Sequence, residues 1–333
     1  MKKVVKWFIK ATVAGTAAIL LLSVFCYFYS YDGIHIVSET GATDYVWESG
    51  QLKATMKEGF SRVHMDSYGY NNVYDYSEEP DILLMGSSHM EAAQVAETEN
   101  VGYLLNDKLF KYKTYNIGIS GHTIYRCIDN LENALETYHP QKYVVMVIDS
   151  VDLSIDEMKA VIKEEAVPIP SHDSGLIYYL QKIPAIKVIY KQLSDWMSLD
   201  NGSMVVKASN EKTDYNVEYD KTLCEFLEKA GNMAEESGVT LIVVYQPAQK
   251  LQMDGTIVYE YAEAHLEQFS EHCKKQGIVF VNAEKEFDKL YAEKNILAHG
   301  FSNSSVGEGH LNKYGHEAVA NVIETEIKEL EAE

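Results

Sequence analysis

Residues 81–333 are predicted to form a doubly wound, three-layer α/β/α domain with a parallel sheet, because short apolar strands alternate with helices along them. Two segments, 82–85 and 143–148, carry no charge and are short enough for strands that are buried on both faces. In a third segment, 314–330, apolar residues recur on one face, which predicts an amphipathic closing helix. Since helices separate the strands, neighbouring strands are expected to be parallel and joined by right-handed crossovers.

The remaining elements of the domain follow the same alternation. Further strands are expected at 113–118, 239–245 and 278–281, and further helices at 122–135, 222–236 and 260–275, with another helix opening at Glu91. Residues 151–220 interrupt the alternation of strands and helices, because a connection between a strand and a helix usually has about 2–6 residues. They are predicted to be an insertion. A lid or acceptor-binding flap over the strand ends and a helical subdomain remote from the site both fit its sequence.

An uncharged, apolar segment at residues 11–29 follows four lysines. Its length suits one helical crossing of a bilayer, and lysines before it with acidic residues after it favour a cytoplasmic N-terminus. A cleaved signal peptide is the alternative, although no small-x-small cleavage site follows residue 29. The prediction is a single-pass anchor over residues 1–30, in contact with the membrane through residues 4–30, with the domain outside the cytoplasm. Residues 31–80 are polar, aromatic and rich in turn residues, and are expected to form a stalk or lead-in.

Composition excludes several classes of function. The net charge of −21 leaves no basic stripe for a nucleic acid. The cysteines are far apart and form no Cys-x-x-Cys pair, so neither a zinc knuckle nor a redox motif is supported. No Gly-rich phosphate loop is present, and no histidines show metal-ligand spacing. No metal and no cofactor are therefore predicted. The cysteines are Cys26, Cys127, Cys224 and Cys273, and the histidines near the predicted site are His89, His122, His310 and His316.

Ser88 stands between the first buried strand and the start of a helix, after Gly86 and Ser87. Its hydroxyl would lie at the carboxyl edge of the sheet, where open α/β folds bind ligands. Free N–H groups at the helix start could stabilise negative charge there, as an acyl-transfer nucleophile requires. The same stretch also fits a plain strand-to-helix turn in which Ser88 is the N-cap.

Three other stretches are predicted at the same edge of the sheet. They are 116–122, which contains Gly121; 149–152, which contains Ser150; and 307–316, which contains His310. Because Gly121 has no side chain, its backbone N–H could come close to a ligand. Together with Ser88 they would supply a hydroxyl, a backbone donor, a polar group and an imidazole, which are the parts that covalent acyl transfer needs.

The order of these blocks resembles the SGNH (GDSL-like) hydrolase superfamily over about residues 80–333. The blocks are Gly86-Ser87-Ser88, Asn116-x-x-x-x-Gly121-x-Thr123 and Glu308-Gly309-His310-Leu311-Asn312. The resemblance implies a flavodoxin-like three-layer fold. It also implies that Ser88 is the nucleophile and His310 the general base. The backbone N–H groups of Ser88 and Gly121 would form the oxyanion hole.

Two departures from the family pattern affect the expected site. The family's third block usually ends in an oxyanion-binding asparagine, and Ser150 or Val151 stands there instead. Loss of one such donor can cost about 2.7–4 kcal/mol of transition-state stabilisation; either Ser150 replaces it or the hole has two donors. The family's acid lies three residues before the histidine, where this chain has Gly307. The next residue, Glu308, is expected to orient His310, and a Ser–His dyad is the alternative.

The resemblance implies a serine esterase or O-acyltransferase in a bacterial cytoplasmic membrane. Its substrate would be an acyl ester, in particular an acetyl ester, of cell-envelope carbohydrate, or another ester. His89 and His122 are expected to bind substrate, and His122 could equally be a solvated residue at a helix start. No protein partner is identified by the sequence. The alternative function, suggested by the two departures, is a catalytically inactive protein of this fold that binds a glycan or an envelope-assembly partner.

Overall fold

A computed structural model of the chain describes residues 2–29, 33–55, 58–153, 155–163, 175–200, 217–260 and 263–332. The chain begins with a 28-residue helix, α1 (Lys2–Tyr29), whose side chains are mostly exposed. By length and composition, residues Lys2–Phe28 are a candidate membrane span or signal sequence. Among the described residues no other helix meets these criteria.

Two antiparallel strand pairs follow α1. They are β1 (His35–Val37) with β2 (Tyr45–Trp47), and β3 (Leu52–Thr55) with β4 (Ser61–His64). Their buried side chains pack on the domain in a cluster formed by Tyr45, Trp47, Val63, Met65, Ala93 and Ile119.

The described part of 31–80, which was expected to be a stalk or lead-in, thus packs on the domain through these two hairpins. In β3 and β4 every second side chain is buried. Burial of every second residue is expected for a strand that packs one of its faces on a core. The strands have only three or four residues, so their pattern was hidden within an otherwise polar segment.

The central sheet is formed by five of the seven strands that follow. The seven are β5 (Ile82–Gly86), β6 (Thr114–Asn116), β7 (Tyr143–Ile148), β8 (Thr240–Tyr245), β9 (Ala248–Leu251), β10 (Ile257–Glu260) and β11 (Val279–Asn282). The sheet order is β6-β5-β7-β8-β11, and all its neighbours are parallel. β9 and β10 form a separate antiparallel hairpin. The predicted doubly wound parallel sheet is confirmed.

Helices cover both faces of this sheet. They are α2 (Ser88–Glu91), α3 (Val101–Lys108), α4 (Ile124–Asp129), α5 (Leu131–Tyr138), α6 (Ile155–Ile162), α7 (Leu176–Gln181), α8 (Pro184–Asp200), α9 (Val217–Glu236), α10 (Glu263–Lys275), α11 (Glu284–Lys294) and α12 (Lys313–Leu330), with a 3₁₀ turn at Glu97–Glu99. One core cluster joins the sheet to α4, α5, α9 and α10, and a second joins it to α3, α11 and α12. The sheet and the helix layer on each of its two faces are the three layers of the fold. The helix expected over 122–135 is two helices, and the helix expected to open at Glu91 is instead α2, which ends at that residue. The β9–β10 hairpin, α3 and α11 were not predicted.

The expected insertion at 151–220 contains α6, which packs on α4, and α7 and α8, of which α8 packs on α1. Residues 154, 164–174 and 201–216, which include the polar run, lie outside the described residues. Whether the insertion acts as a lid stays a prediction.

The sheet order places a topological switch point beside β5, because the chain leaves β5 first for β6 on one side and then for β7 on the other. Ligands of open α/β folds bind in the crevice at the carboxyl ends of the strands at such a point. Ser88 lies two residues after the end of β5, and Ser150 lies two residues after the end of β7. The fold thus places these two residues beside the same crevice.

A buried ion pair ties the N-terminal hairpins to this edge of the sheet. The Lys53 ammonium on β3 contacts Oε1 of Glu91, which is 1% exposed. The Ser120 N–H donates to Oε2 of Glu91 at 2.8 Å. Burial raises the pKa of Glu91, but Lys53 outweighs that effect and brings the pKa down to about 2.

Replacing Glu91 by Gln is expected to destabilise the protein by about 3 kcal/mol at neutral pH, because it leaves the Lys53 charge without its partner. The folded pKa of Glu91 lies below its ordinary value of 4.5. Its contribution is therefore complete above about pH 4.5 and is lost as the pH falls toward about 2. Chemical denaturation of wild type and Glu91→Gln at neutral and acidic pH measures this loss.

The matched control is Glu132→Gln, at an exposed position of α5. It should change the free energy of unfolding by less than about 0.5 kcal/mol. Equal stability of Glu91→Gln and wild type at neutral pH would contradict the proposed role of the ion pair.

Candidate active site

Ser88 and His310 lie 222 positions apart in the sequence and meet at the carboxyl edge of the sheet. The Ser88 Oγ and the His310 Nε2 are 2.9 Å apart, which is hydrogen-bond distance. The His310 side chain is 27% exposed, so solvent reaches the ring from one side. A nucleophile and base in this relation are the first requirement for covalent acyl transfer.

A sharp strand-to-helix turn presents the Ser88 hydroxyl. Gly86 has a φ of +153°, and a Cβ there would lie 2.7 Å from both the Val147 carbonyl oxygen and the Met90 side chain. Only glycine fits this position. The helix that Ser88 opens is short, because Ala92 takes a left-handed conformation at its C-cap. Ser88 is the first residue of α2, so its backbone N–H has no acceptor within the helix.

The loop that carries His310 is fixed on both sides of that residue. The Gly300 N–H donates to the His310 carbonyl at 3.0 Å. After it, Asn312 caps α12 by accepting from the N–H groups of Tyr314 and Gly315. The Asn312 side-chain amide also donates to the Gly300 carbonyl at 3.1 Å. These bonds hold the imidazole in place before any ligand arrives.

Glu58, in the turn between β3 and β4, holds the other side of the His310 ring. Its Oε2 lies 2.7 Å from His310 Nδ1, and its Oε1 accepts the His310 backbone N–H at 2.7 Å. Burial raises the pKa of Glu58, but the bonds from His310 outweigh this and hold that pKa below its usual value. The carboxylate therefore stays charged beside the ring and favours the tautomer with its proton on Nδ1. The Nε2 is then free to accept from Ser88.

The structure does not place Glu308 in the role expected for it. Its side chain is exposed, and Glu58 occupies Nδ1 of His310. Room for this contact comes from Gly309, since a Cβ there would lie 2.2 Å from Oε1 of Glu58. Sequence reasoning missed Glu58 because it lies outside the recognised blocks. The sequence signal that could have identified its hairpin was the alternation of residue types in the short segments 52–55 and 61–64.

His89 is 8% exposed, which does not fit the substrate-binding role expected for it. Its Nδ1 accepts the Leu311 N–H at 3.2 Å, and its Nε2 lies 3.2 Å from Oδ2 of Asp149. Burial raises the pKa of Asp149, but His89 outweighs it and keeps the pKa below the ordinary value. His89 therefore connects the end of β7 to the residue that follows His310.

His122 is also an interior residue, 3% exposed. Its Nε2 accepts the Asp44 N–H at 3.0 Å, and its ring packs edge-on against Tyr45 at 5.5 Å between centroids. The substrate-binding role expected for it does not fit this burial. The side chain instead attaches the residues around β2 to the domain.

The loop that contains Gly121 lies against the strand that leads to Ser88, since the Ile119 N–H donates to the Gly86 carbonyl at 3.0 Å. Gly121 is exposed and has a φ of +83°, a conformation that favours glycine. Ser150 is half-buried in the turn after β7. Both residues are at the sheet edge where the sequence placed them. Their contribution to an oxyanion hole stays a prediction.

Two further histidines near the site are neutral. Burial, followed by the charge of His89, lowers the pKa of His299 and of His316 to about 3. His299 Nε2 lies 2.6 Å from Oε1 of Gln246. Within the described parts of the chain, no group of three or more His, Cys, Asp and Glu side chains could hold a metal ion.

No protein-family model matches the chain, and no curated protein sequence matches it significantly. Solved structures do match. A lipolytic G-D-S-L family protein from Veillonella parvula is 14% identical, and the match covers 72% of this chain and 93% of that one with a TM-score of 0.40. An acetyl xylan esterase is 13% identical, with 74% and 98% covered and a TM-score of 0.42. The periplasmic domain of the lipopolysaccharide acetyltransferase of Salmonella ser. Paratyphi A is 14% identical, with 75% and 84% covered and a TM-score of 0.38.

The contact between Glu58 and His310 predicts how fast Ser88 reacts with a fluorophosphonate. Glu58→Gln keeps the shape of the side chain but removes the charge that fixes the histidine tautomer. The labelling rate at Ser88 should fall by about 10⁴-fold, which is the size of the loss when the acid of a comparable triad is replaced. Rates are measured by mass spectrometry of the intact protein.

Glu308→Gln is the matched control, because it makes the same chemical change at an exposed residue two positions before His310. It should label at the wild-type rate. A loss confined to Glu308→Gln would assign the orienting role to Glu308 and contradict the role given to Glu58.

Proposed function

We propose that this chain is a serine esterase or O-acyltransferase of the SGNH type. The observation that carries the proposal is the continuous connection from Ser88 through the His310 ring to Glu58, with distances of 2.9 and 2.7 Å. The order of the sequence blocks, which resembles that superfamily, supports it independently. A nucleophile, a base and a charged group that orients the base are the complete set for acyl transfer.

In the proposed reaction His310 Nε2 accepts the proton of the Ser88 hydroxyl while Oγ forms a bond to the acyl carbon of an ester. The carbonyl oxygen becomes an oxyanion, which the N–H groups of Ser88 and Gly121 stabilise, with Ser150 as a candidate third donor. The tetrahedral intermediate then expels the alcohol, which takes its proton from His310. Water or a sugar hydroxyl next attacks the acyl-enzyme, with His310 again acting as base. Glu58 stabilises the imidazolium formed in each step.

The proposed setting is the outer face of a bacterial cytoplasmic membrane, with α1 as an uncleaved single-pass anchor. Its length and apolar composition support this, and so do the lysines at its N-terminal end. The proposed substrates are acyl esters, acetyl esters first, of cell-envelope carbohydrate. The surface charge of the domain and the lack of a basic stripe are consistent with a substrate other than nucleic acid.

Ser88→Ala should abolish turnover of an acetyl-ester substrate, with a loss of at least about 10³-fold, because no other group in the proposed mechanism can form the acyl-enzyme. The fold should be unchanged, as measured by circular dichroism and thermal unfolding. Turnover with and without a glycan acceptor then separates acyl transfer from hydrolysis.

Ser302→Ala is the matched control, since this serine is exposed in the loop that leads to His310. It should keep wild-type turnover. Folded wild-type protein that neither turns over acetyl esters nor labels at Ser88 would refute the proposal and favour a non-catalytic binding protein.

A further inference from the structure

The helices α7 and α8 expose a set of large apolar and aromatic side chains. Leu176 is 73% exposed and Tyr179 is 67% exposed. The same surface continues over the two helices with Leu180, Ile183, Ile189, Tyr190 and Leu193, all of them exposed. We name these seven residues the α7–α8 surface. A group of large exposed apolar side chains on two successive helices is unusual for a surface that faces only water.

Polar contacts fix α7 with this surface outward. The Tyr178 hydroxyl donates to Glu48 at 2.7 Å, and the Lys182 ammonium lies 2.8 Å from the same carboxylate oxygen. Both contacts attach α7 to the loop after β2. Tyr179, which follows Tyr178 in the chain, is exposed, whereas Gln181 is buried on the side that faces the domain.

The α7–α8 surface is continuous with the candidate membrane span. α8 packs on α1, and within the last turns of α1 Cys26 is buried while most of the helix is exposed. The Lys187 ammonium on α8 donates to the carbonyl of Gly33, four residues after α1 ends. The first turn of α8 therefore lies at the end of α1 that joins the domain, where the proposed membrane would meet water.

The active-site hairpin is attached to the same end of α1. The Arg62 guanidinium on β4 donates to the Phe28 carbonyl at 2.6 and 3.1 Å, and it lies over the Phe28 ring at 4.9 Å. Glu58 precedes Arg62 by four residues in that hairpin. The group that orients His310 is thus held close to the domain end of the membrane helix.

We propose that the α7–α8 surface lies in the interfacial region of the outer lipid leaflet beside α1, with its apolar side chains among the acyl chains. Helices with an apolar and aromatic face and lysines on the other side bind membranes in this way. The active site is then held at the bilayer surface and takes an ester carried by a membrane-bound molecule. The lipid contact rests on the anchor of the proposed function, and the choice of substrate rests on the proposed chemistry.

The test places spin labels on the full chain in nanodiscs of phosphatidylcholine and phosphatidylglycerol, with Cys224→Ser as background. Labels at Tyr179→Cys and Leu193→Cys should collide more with oxygen than with a water-soluble nickel complex. A label at Phe110→Cys, 89% exposed at the opposite edge of the sheet, should show the reverse. Water-like values at Tyr179 and Leu193 would overturn the lipid contact and leave the surface to a protein partner.

The collision rates of the spin labels should be the same in Ser88→Ala, so this result does not depend on the catalytic proposal.

A second measurement tests the proposal that the substrate is carried by a membrane-bound molecule. The double variant Leu176→Glu and Tyr179→Glu should turn over an acetyl ester on a lipid-anchored carrier about tenfold more slowly, since each charge weakens insertion. Turnover of a soluble acetyl ester should not change. Equal effects on both esters, or none on either, would contradict membrane presentation of the substrate.

Discussion

The His310 imidazole, held between the Ser88 hydroxyl and the Glu58 carboxylate, is the contact on which the candidate site depends. Its three residues come from three different parts of the fold: the turn after the first strand of the sheet, the loop before the last helix, and a hairpin that precedes the sheet. A base that must accept at one nitrogen needs the other nitrogen fixed as a donor. The contacts around the site hold these three residues in position relative to one another.

Charges at this edge of the sheet are paired, which limits the cost of burying them. Glu58 faces His310, Asp149 faces His89, and Glu91 faces Lys53. Asp152 is the exception, because burial and the nearby Asp149 raise its pKa well above the ordinary value and so favour the neutral acid. The pairs also connect segments that are distant in sequence, so the same contacts that satisfy the charges fix the geometry of the site.

The sequence predicted the sheet well because strands such as 82–86 and 143–148 are buried on both faces and apolar throughout. It also placed Ser88, Gly121, Ser150 and His310 at one edge, since parallel strands end on the same side. Glu58 could not be found in this way. It lies 252 residues from the histidine that it contacts, in a turn between strands too short to stand out from a polar segment.

The substrate-binding roles expected for His89 and His122 do not fit the structure for a related reason, namely that partners elsewhere in the chain bury both rings. The Asp149 carboxylate and the Leu311 N–H contact the two ring nitrogens of His89, and the Asp44 N–H donates to Nε2 of His122. A histidine beside a nucleophile looks like a ligand for substrate until these partners are known. Local sequence patterns thus did not reveal the contacts between polar groups that lie far apart in the chain.

The most direct test of this account is the proton resonance of His310 Nδ1, observed by NMR in the full chain. A proton shared with a carboxylate at 2.7 Å should resonate far downfield. We expect this signal in the wild type and in Glu308→Gln, and we expect Glu58→Gln to remove it. Loss of the signal in Glu308→Gln, with no change in Glu58→Gln, would contradict the central role of the N-terminal hairpin.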